Sequence, residues 1–233
     1  MCYYPGNKKK LGEEIAKQIY DKSLNIAEKE NFEIQGYVEP FIGMCGVYKH
    51  IPNMFKNYRP KMKFKGGDRN PYLIKLWTGL QNGYNPPTET TEEEYYKYKD
   101  NDSKSLKAIW LGFACGHRGI FRSSYNPLFN LKLLAEQSKE TAKAIKNVKL
   151  KTGDYTMYSD LKGYIIYCDP PYKGTQNGYA IGNSKNSYFD YTEFVDWCKK
   201  MSEDNIIFIS EYTKPCKEAT QIWKKDKEKL FVI

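Results

Sequence analysis

The sequence has few of the residues that build metal sites and disulfide frameworks. It contains two histidines, and its six cysteines show no Cys-x-x-Cys spacing. We therefore expect no metal site and reduced thiols. The sequence also lacks an apolar run of about 18 residues and a signal-peptide core. We therefore expect a cytoplasmic protein that is not associated with a membrane.

Positive charge is in excess. Lys and Arg number 37 against 28 Asp and Glu, so the formal net charge is +9 and the pI is about 9.0. This balance favours a polyanionic partner such as nucleic acid. The 21 tyrosines suit stacking surfaces, and a length of 233 residues predicts one domain with a small insertion.

A β-prone segment, Tyr164–Cys168, runs directly into Asp169-Pro170-Pro171-Tyr172. The segment predicts a buried strand that the prolines end stiffly. Ligands of open α/β sheets bind at the carboxyl ends of strands. There, Asp169 and the Pro170 carbonyl can accept hydrogen bonds from an exocyclic amine, and the Tyr172 ring can stack on a flipped-out base. The alternative is a strand that ends in an ordinary turn.

The Asp-Pro-Pro-Tyr tetrapeptide resembles the signature of the amino-methyltransferases. These enzymes transfer a methyl group from S-adenosylmethionine (AdoMet) to N6 of adenine or N4 of cytosine. The order of the motifs is similar to that of the Dam-type (D12 class, alpha group) DNA N6-adenine methyltransferases. The resemblance implies AdoMet as methyl donor, double-stranded DNA as partner, no metal, and a catalytic loop of Asp169, Pro170, Pro171 and Tyr172, with Asp169 also close to the cofactor.

Two stretches near the amino terminus resemble cofactor elements of this family. Tyr4, Gly6 and Lys8 match its aromatic-Gly-x-Lys element, ahead of a helix predicted from Leu11 to about residue 30. The next stretch matches its Glu-Pro-Phe-x-Gly-x-Gly loop but has Cys45 at the second glycine. In this loop the resemblance implies contacts with the cofactor from Glu39, Pro40, Phe41 and Gly43. For the first stretch the alternative is a solvated lysine cluster. For the second it is a generic loop.

Acids follow two further predicted strands. Residues 62–67 read as a strand that ends at Asp68, the place where dinucleotide folds hold ribose hydroxyls, and a helix N-cap is the alternative. Asp154 and Tyr155 follow a short strand over residues 148–150. They resemble the family's Gly-Asp-Phe element, which implies contacts with the adenine ring of the cofactor.

Residues 76–135 have a different character. An acidic, tyrosine-rich helix is predicted over residues 92–99, and glycines flank His-Arg in the stretch from Trp110 to Tyr125, which indicates a hairpin or loop. By resemblance this is the target-recognition insert, with Arg118 and Arg122 facing DNA. An exposed loop with incidental arginines is the alternative. Further candidates for DNA contact are Lys9, Tyr125 and Tyr191.

The expected fold is α/β: a Rossmann-like AdoMet-dependent methyltransferase whose mostly parallel sheet has helices on both faces and an added antiparallel edge. The catalytic domain would comprise residues 1–75 and 136–233, with a strand at 206–210 and a basic tail at 224–229. The expected function is methyl transfer to N6 of a flipped-out adenine in duplex DNA. The alternatives are N4-cytosine methylation, RNA as substrate, and a DNA-binding protein with a degenerate AdoMet pocket.

Overall fold

The computed structural model describes residues 8–57, 62–174 and 189–233, and these form a seven-stranded sheet in the order β3-β2-β1-β4-β5-β7-β6. Strands β1 to β5 are parallel, and β7 runs antiparallel between β5 and β6. The predicted mostly parallel sheet with an antiparallel edge is confirmed. The strands are β1 Gly36–Glu39, β2 Lys63–Asp68, β3 Lys149–Thr152, β4 Tyr164–Cys168, β5 Ile206–Glu211, β6 Thr220–Lys225 and β7 Glu228–Val232.

The described α-helices mostly begin at residues that cap them. A side-chain oxygen at the cap accepts a hydrogen bond from an N–H that has no partner within the helix. The caps with this bond are Asn70, Thr91, Ser105, Asn130 and Asp190. The helices are α1 Gly12–Lys29, α2 Ile51–Met54, α3 Pro71–Gln81, α4 Glu92–Asp100, α5 Leu106–Ala114, α6 Leu131–Ala144 and α7 Tyr191–Met201. None of these helices has both the length and the apolar character of a membrane span.

The central strands of the sheet are buried on both faces, as β4 shows. Ile165 and Tyr167 pack into the core shared with α1, α3, α5 and α6, whereas Ile166 and Cys168 pack on the opposite side with α7. Parallel strands covered in this way are apolar at every position, which explains the uninterrupted apolar run of β4. The prediction of helices on both faces is confirmed.

Residues 76–135 share the core of the rest of the chain. Buried Tyr95, Trp110 and Phe113 belong to the same hydrophobic cluster as Ile15 and Leu73. The proposed boundary at residue 76 lies inside α3, and the first residues of the expected hairpin or loop instead complete α5. The loop that follows is closed by a β-bridge between Gly116 and Tyr125.

The expectation of a basic tail at residues 224–229 is wrong. Lys224 and Lys225 end β6, and Glu228 begins β7, which pairs with both β5 and β6. Lysines are common on exposed edge strands because they hinder pairing with another chain. The lysines of β6 thus explain why the sequence pattern did not predict a strand there.

The amino end of α1 packs directly on the loop after β1. A Cβ added to Gly12 would lie 2.0 Å from the Gly46 carbonyl oxygen, which is backbone and cannot move aside alone. We expect Gly12→Ala to lower the free energy of unfolding by about 1–3 kcal/mol through overpacking. Urea unfolding would measure this, with exposed Glu13→Ala as the control. An unchanged midpoint for Gly12→Ala would contradict the prediction.

Candidate functional site

Acidic residues stand at or just after the carboxyl ends of all five parallel strands. Because β1 and β4 are neighbours whose connections lead in opposite directions, this edge is the switch point of the sheet, where a ligand crevice is expected between the two strands. The structure therefore gathers at one edge the acids that the sequence predicted, together with one that it did not. In chain order these are Glu39, Asp68, Asp154, Asp169 and Glu211.

Asp169 is held in a network of four side chains. The Lys8 ammonium donates to its Oδ1 at 2.8 Å, and the Tyr172 hydroxyl donates to the same oxygen at 3.0 Å. Glu228 Oε1 lies 3.6 Å from Lys8 Nζ and also accepts a hydrogen bond from the Tyr172 hydroxyl. The exposed fractions of Lys8 and Glu228 are only 8% and 9%. Two carboxylates thus share one buried ammonium.

The electrostatics of this network keep its donors protonated. Burial alone would lower the pKa of Lys8, but the charges of Asp169 and Glu228 outweigh it, so the Lys8 pKa is raised. Burial and the same two carboxylates raise the pKa of Tyr172. Burial also raises the pKa of Glu228, although Lys8 opposes this. At neutral pH Lys8 is therefore a cation and Tyr172 a neutral hydroxyl donor.

The Tyr172 ring is half-buried at the rim of this network. Lys8 Nζ lies 4.9 Å from the ring centroid, and the Tyr212 ring meets it edge-on with centroids 4.5 Å apart. The sequence pattern suggested no role for the Tyr172 hydroxyl, which donates to Asp169 and Glu228. Tyr172 is thus fixed at both its ring and its hydroxyl.

The loop after β1 adopts the conformation that a glycine-rich element requires. Gly43 has φ of 46° and Cys45 has φ of 56°, both in the left-handed region. A side chain there is strained, which explains why glycine is usual at this place in the resembling family. Cys45 is buried, and its N–H donates to the Ile42 carbonyl at 2.8 Å. The loop therefore keeps its turn despite the cysteine.

Glu39, at the end of β1, faces inward. Its side chain is buried and accepts a hydrogen bond from the Tyr37 hydroxyl at 2.7 Å. Burial raises its pKa well above the ordinary value. Pro40, next in the chain, is buried as well.

Asp68 joins the β1 loop to the end of β2. Its Oδ2 accepts from the Gly43 N–H at 3.0 Å, and its Oδ1 accepts from the Asn70 N–H at 2.8 Å. Burial raises the pKa of Asp68 to about 6, although these two amides oppose the shift. The cap of α3 is Asn70, whose side chain accepts from the Tyr72 N–H. Asp68 is not the helix cap that was the alternative interpretation.

An aromatic cluster lies beside the crevice on the α7 side of the sheet. The rings of Phe41 and Tyr155 are stacked, with centroids 5.9 Å apart and planes 28° apart. Phe194 of α7 meets both rings edge-on. Asp154 is exposed, and its Oδ1 accepts from the Thr156 N–H, which starts a 3-10 turn. The two predicted aromatic residues are thus in contact, while the Asp154 carboxylate lies at the surface.

Arg122 is engaged inside the fold. Its guanidinium pairs with Asp102 and donates to the Ser103 carbonyl, and its side chain is only 12% exposed. It also stacks over Tyr72 and Phe121, at 5.6 and 5.0 Å from the ring centroids. These contacts favour a structural role for Arg122 over direct reading of DNA.

The other residues predicted to contact DNA belong to different elements of the fold. Lys9 is exposed and donates to the Gln137 side chain at 3.0 Å. Tyr125 is half-buried against Tyr95. Tyr191 begins α7, with Lys173 Nζ 5.9 Å from its ring. The Arg118 side chain and residues Tyr4 and Gly6 lie outside the described part of the structure.

Two buried acids of the site were missed by sequence reasoning, Glu211 and Glu228. Glu211 ends β5, and its Oε1 accepts from the Lys173 N–H at 2.6 Å, which ties the segment after Tyr172 to the sheet. Its position directly after the apolar run of β5 was a usable signal, of the same kind as Asp169 after β4. Glu228 gave no such signal, since it stands among lysines.

Comparison with known proteins bears on this site. Residues 118–232 match the model of the family described as D12 class N6 adenine-specific DNA methyltransferase. This match covers just under half of the chain and supports a methyltransferase. The matched segment contains Asp169, Tyr172, Glu211 and Glu228, whereas Lys8, the β1 loop and Asp68 precede it.

Solved structures similar to this chain include two of the rRNA methyltransferase aviRa from Streptomyces viridochromogenes, at 2.4 Å and 1.5 Å. Their TM-scores are 0.43 and 0.42, at 10% sequence identity, and each match covers 94% of this chain and 83% of aviRa. No curated protein sequence matches the chain.

Proposed function

We propose that the protein is a site-specific DNA methyltransferase that transfers a methyl group from AdoMet to N6 of an adenine flipped out of duplex DNA. The observation that carries the proposal is the position of Asp169 and Tyr172. They follow β4 at the sheet's switch point, inside the segment that matches the D12 class. The net charge of +9 supports a nucleic-acid partner.

The site residues suit AdoMet. Asp68 is an ionisable acceptor at the end of β2, fixed by two backbone amides, and suits ribose hydroxyls. Phe41 and Tyr155 offer rings beside the crevice for an adenine. Gly43 has no side chain to block close approach of a ligand to the β1 loop. When bound, AdoMet supplies an electrophilic methyl group.

Asp169 and Pro170 orient the nucleophile. The carboxylate and the Pro170 carbonyl accept the two N–H bonds of the target amine, which draws the nitrogen lone pair out of conjugation and aims it at the methyl group. The target nitrogen would accept the methyl group as the bond from that group to sulfur breaks, and one amine proton would leave through Asp169 to water. The Tyr172 ring stacks on the flipped base.

Residues 76–135 remain our proposed recognition insert, and Arg118, Lys9, Tyr125 and Tyr191 remain proposed DNA contacts. For Arg122 we propose that the pair with Asp102 shapes the loop that carries Arg118. The small exposed fraction of the Arg122 side chain supports this structural role.

Transfer of labelled methyl groups tests the substrate class. The protein is incubated with methyl-labelled AdoMet and equal amounts of duplex DNA, single-stranded DNA or structured RNA of mixed sequence. We expect label in duplex DNA, with a sequence context that recurs among the modified sites. Label mainly in RNA would favour the RNA alternative, and no label in any polymer would contradict the proposal.

Asp68 provides a pH test of the cofactor site. Because burial raises its pKa to about 6, the carboxylate is mostly ionised at pH 7.5 and mostly protonated at pH 5. The charged form is the stronger acceptor, so AdoMet affinity should fall about fivefold to tenfold between these pH values. Calorimetry measures it. Asp68→Asn should bind weakly at both pH values, and an Asn variant with the same pH dependence as wild type would contradict this role.

A further inference from the structure

Glu228 reaches the active site because of the reversed strand. Since β7 is antiparallel to β5, the first residue of β7 lies at the edge where β5 ends, and the pairing of Glu211 with Lys229 fixes this register. Glu228 is thereby placed next to Asp169 although 59 positions separate them in the sequence. Its burial and its contacts with Lys8 and Tyr172 show a fixed side chain and not a solvated strand residue.

The contacts of Asp169 raise a chemical difficulty that Glu228 resolves. A carboxylate that already accepts from an ammonium and a phenol is a weaker acceptor for a further amine, because each donor draws charge from its oxygens. Lys8 and Tyr172 both donate to Oδ1 of Asp169. Glu228 offers the same two donors a second carboxylate, and Tyr172 has one hydroxyl proton to divide between them.

We propose that Glu228 is a positioning residue for methyl transfer: it draws Lys8 and the Tyr172 hydroxyl partly away from Asp169, so that the Oδ2 side of Asp169 remains a strong acceptor for the target amine. Glu228 also fixes the ring on which the base stacks, through the Tyr172 hydroxyl. This inference rests on the proposed function, since it assigns a role in the same transfer step.

The test compares Glu228→Gln with wild type. Gln keeps a carbonyl acceptor at the same reach but removes the charge that competes for Lys8. We expect kcat to fall about tenfold to a hundredfold, while the Kd for AdoMet and the unfolding midpoint change little. The matched control is Asp226→Asn, which removes one charge from the exposed turn of the same hairpin and suits the left-handed φ of 54° there. The control should keep wild-type kcat.

A double-mutant cycle separates positioning from a general structural role. If Glu228 acts by competing for Lys8, then Glu228→Gln should lower kcat much less in a Lys8→Met background than in the wild type. Glu228→Asp, which keeps the charge, should retain more activity than Glu228→Gln. A Glu228→Gln enzyme with the kcat of Asp226→Asn would overturn the proposal, as would additive losses in the cycle. So would a Glu228→Gln protein that fails to fold while Glu228→Asp works as wild type.

The two proposals fail in different ways. If wild-type protein transfers no methyl group to any nucleic acid, the proposed function is lost and Glu228 loses its role with it. If wild-type protein methylates DNA and Glu228→Gln does so equally well, only the role of Glu228 is lost.

Discussion

Asp169→Ala should lower the rate of methyl transfer by about a thousandfold, the largest effect of any substitution in the chain. The reason is that its carboxylate is the acceptor that aims the target nitrogen, and no neighbour can replace it, because Glu228 lies behind the Tyr172 hydroxyl. Single-turnover kinetics with labelled AdoMet measure the rate. AdoMet affinity should remain mostly intact, because the cofactor contacts are proposed to come mainly from the ends of β1, β2 and β3.

The fold should survive Asp169→Ala. Lys8 keeps a carboxylate partner in Glu228, 3.6 Å away, so its buried charge is not left alone. Asp160→Ala, which removes an exposed acid from the turn before β4, is the control and should leave the rate unchanged. An Asp169→Ala enzyme with more than about a tenth of the wild-type rate would contradict the proposed mechanism.

Tyr172→Ala should have the second largest effect, a loss of about a hundredfold in turnover. Removing the ring forfeits base stacking, worth about 1–3 kcal/mol, and the hydroxyl bond to the two acids is lost as well. Tyr172→Phe keeps the ring and loses only the hydroxyl, so we expect about a tenfold loss. Steady-state kinetics on one oligonucleotide compare the three enzymes.

The Ala and Phe variants distinguish two uses of the same side chain. Equal losses would show that the hydroxyl carries the whole effect and that the ring does not stack on the base. A Phe variant with wild-type turnover would show that the contacts with Asp169 and Glu228 have no catalytic part, and would weaken the role proposed for Glu228.

The parallel part of the sheet and four of the five acids at its strand ends could be predicted, because each strand carries its own signal. β4 is apolar throughout, and Asp169 follows it before two prolines, so strand, turn and site are encoded in nine consecutive residues. Asp68 follows β2 in the same way. These are local features, and a parallel sheet brings their strand ends together without any further information.

The remaining features depend on contacts between distant parts of the chain. Glu228 became part of the site through the antiparallel direction of β7. The Arg122 side chain is mostly covered because it pairs with Asp102, twenty positions earlier, and lies over the Tyr72 ring. No periodicity in the sequence reports such pairs. The loop at Cys45 is intermediate: the departure from glycine was visible, but its left-handed conformation was not.

Identification of the methylated nucleoside tests the central proposal most directly. Duplex DNA of mixed sequence is incubated with AdoMet and either wild-type or Asp169→Ala protein, digested to nucleosides and analysed by mass spectrometry. We predict N6-methyldeoxyadenosine from the wild-type reaction and none above background from the Asp169→Ala reaction. N4-methyldeoxycytidine as the product, or N6-methyldeoxyadenosine formed equally by both proteins, would contradict the account.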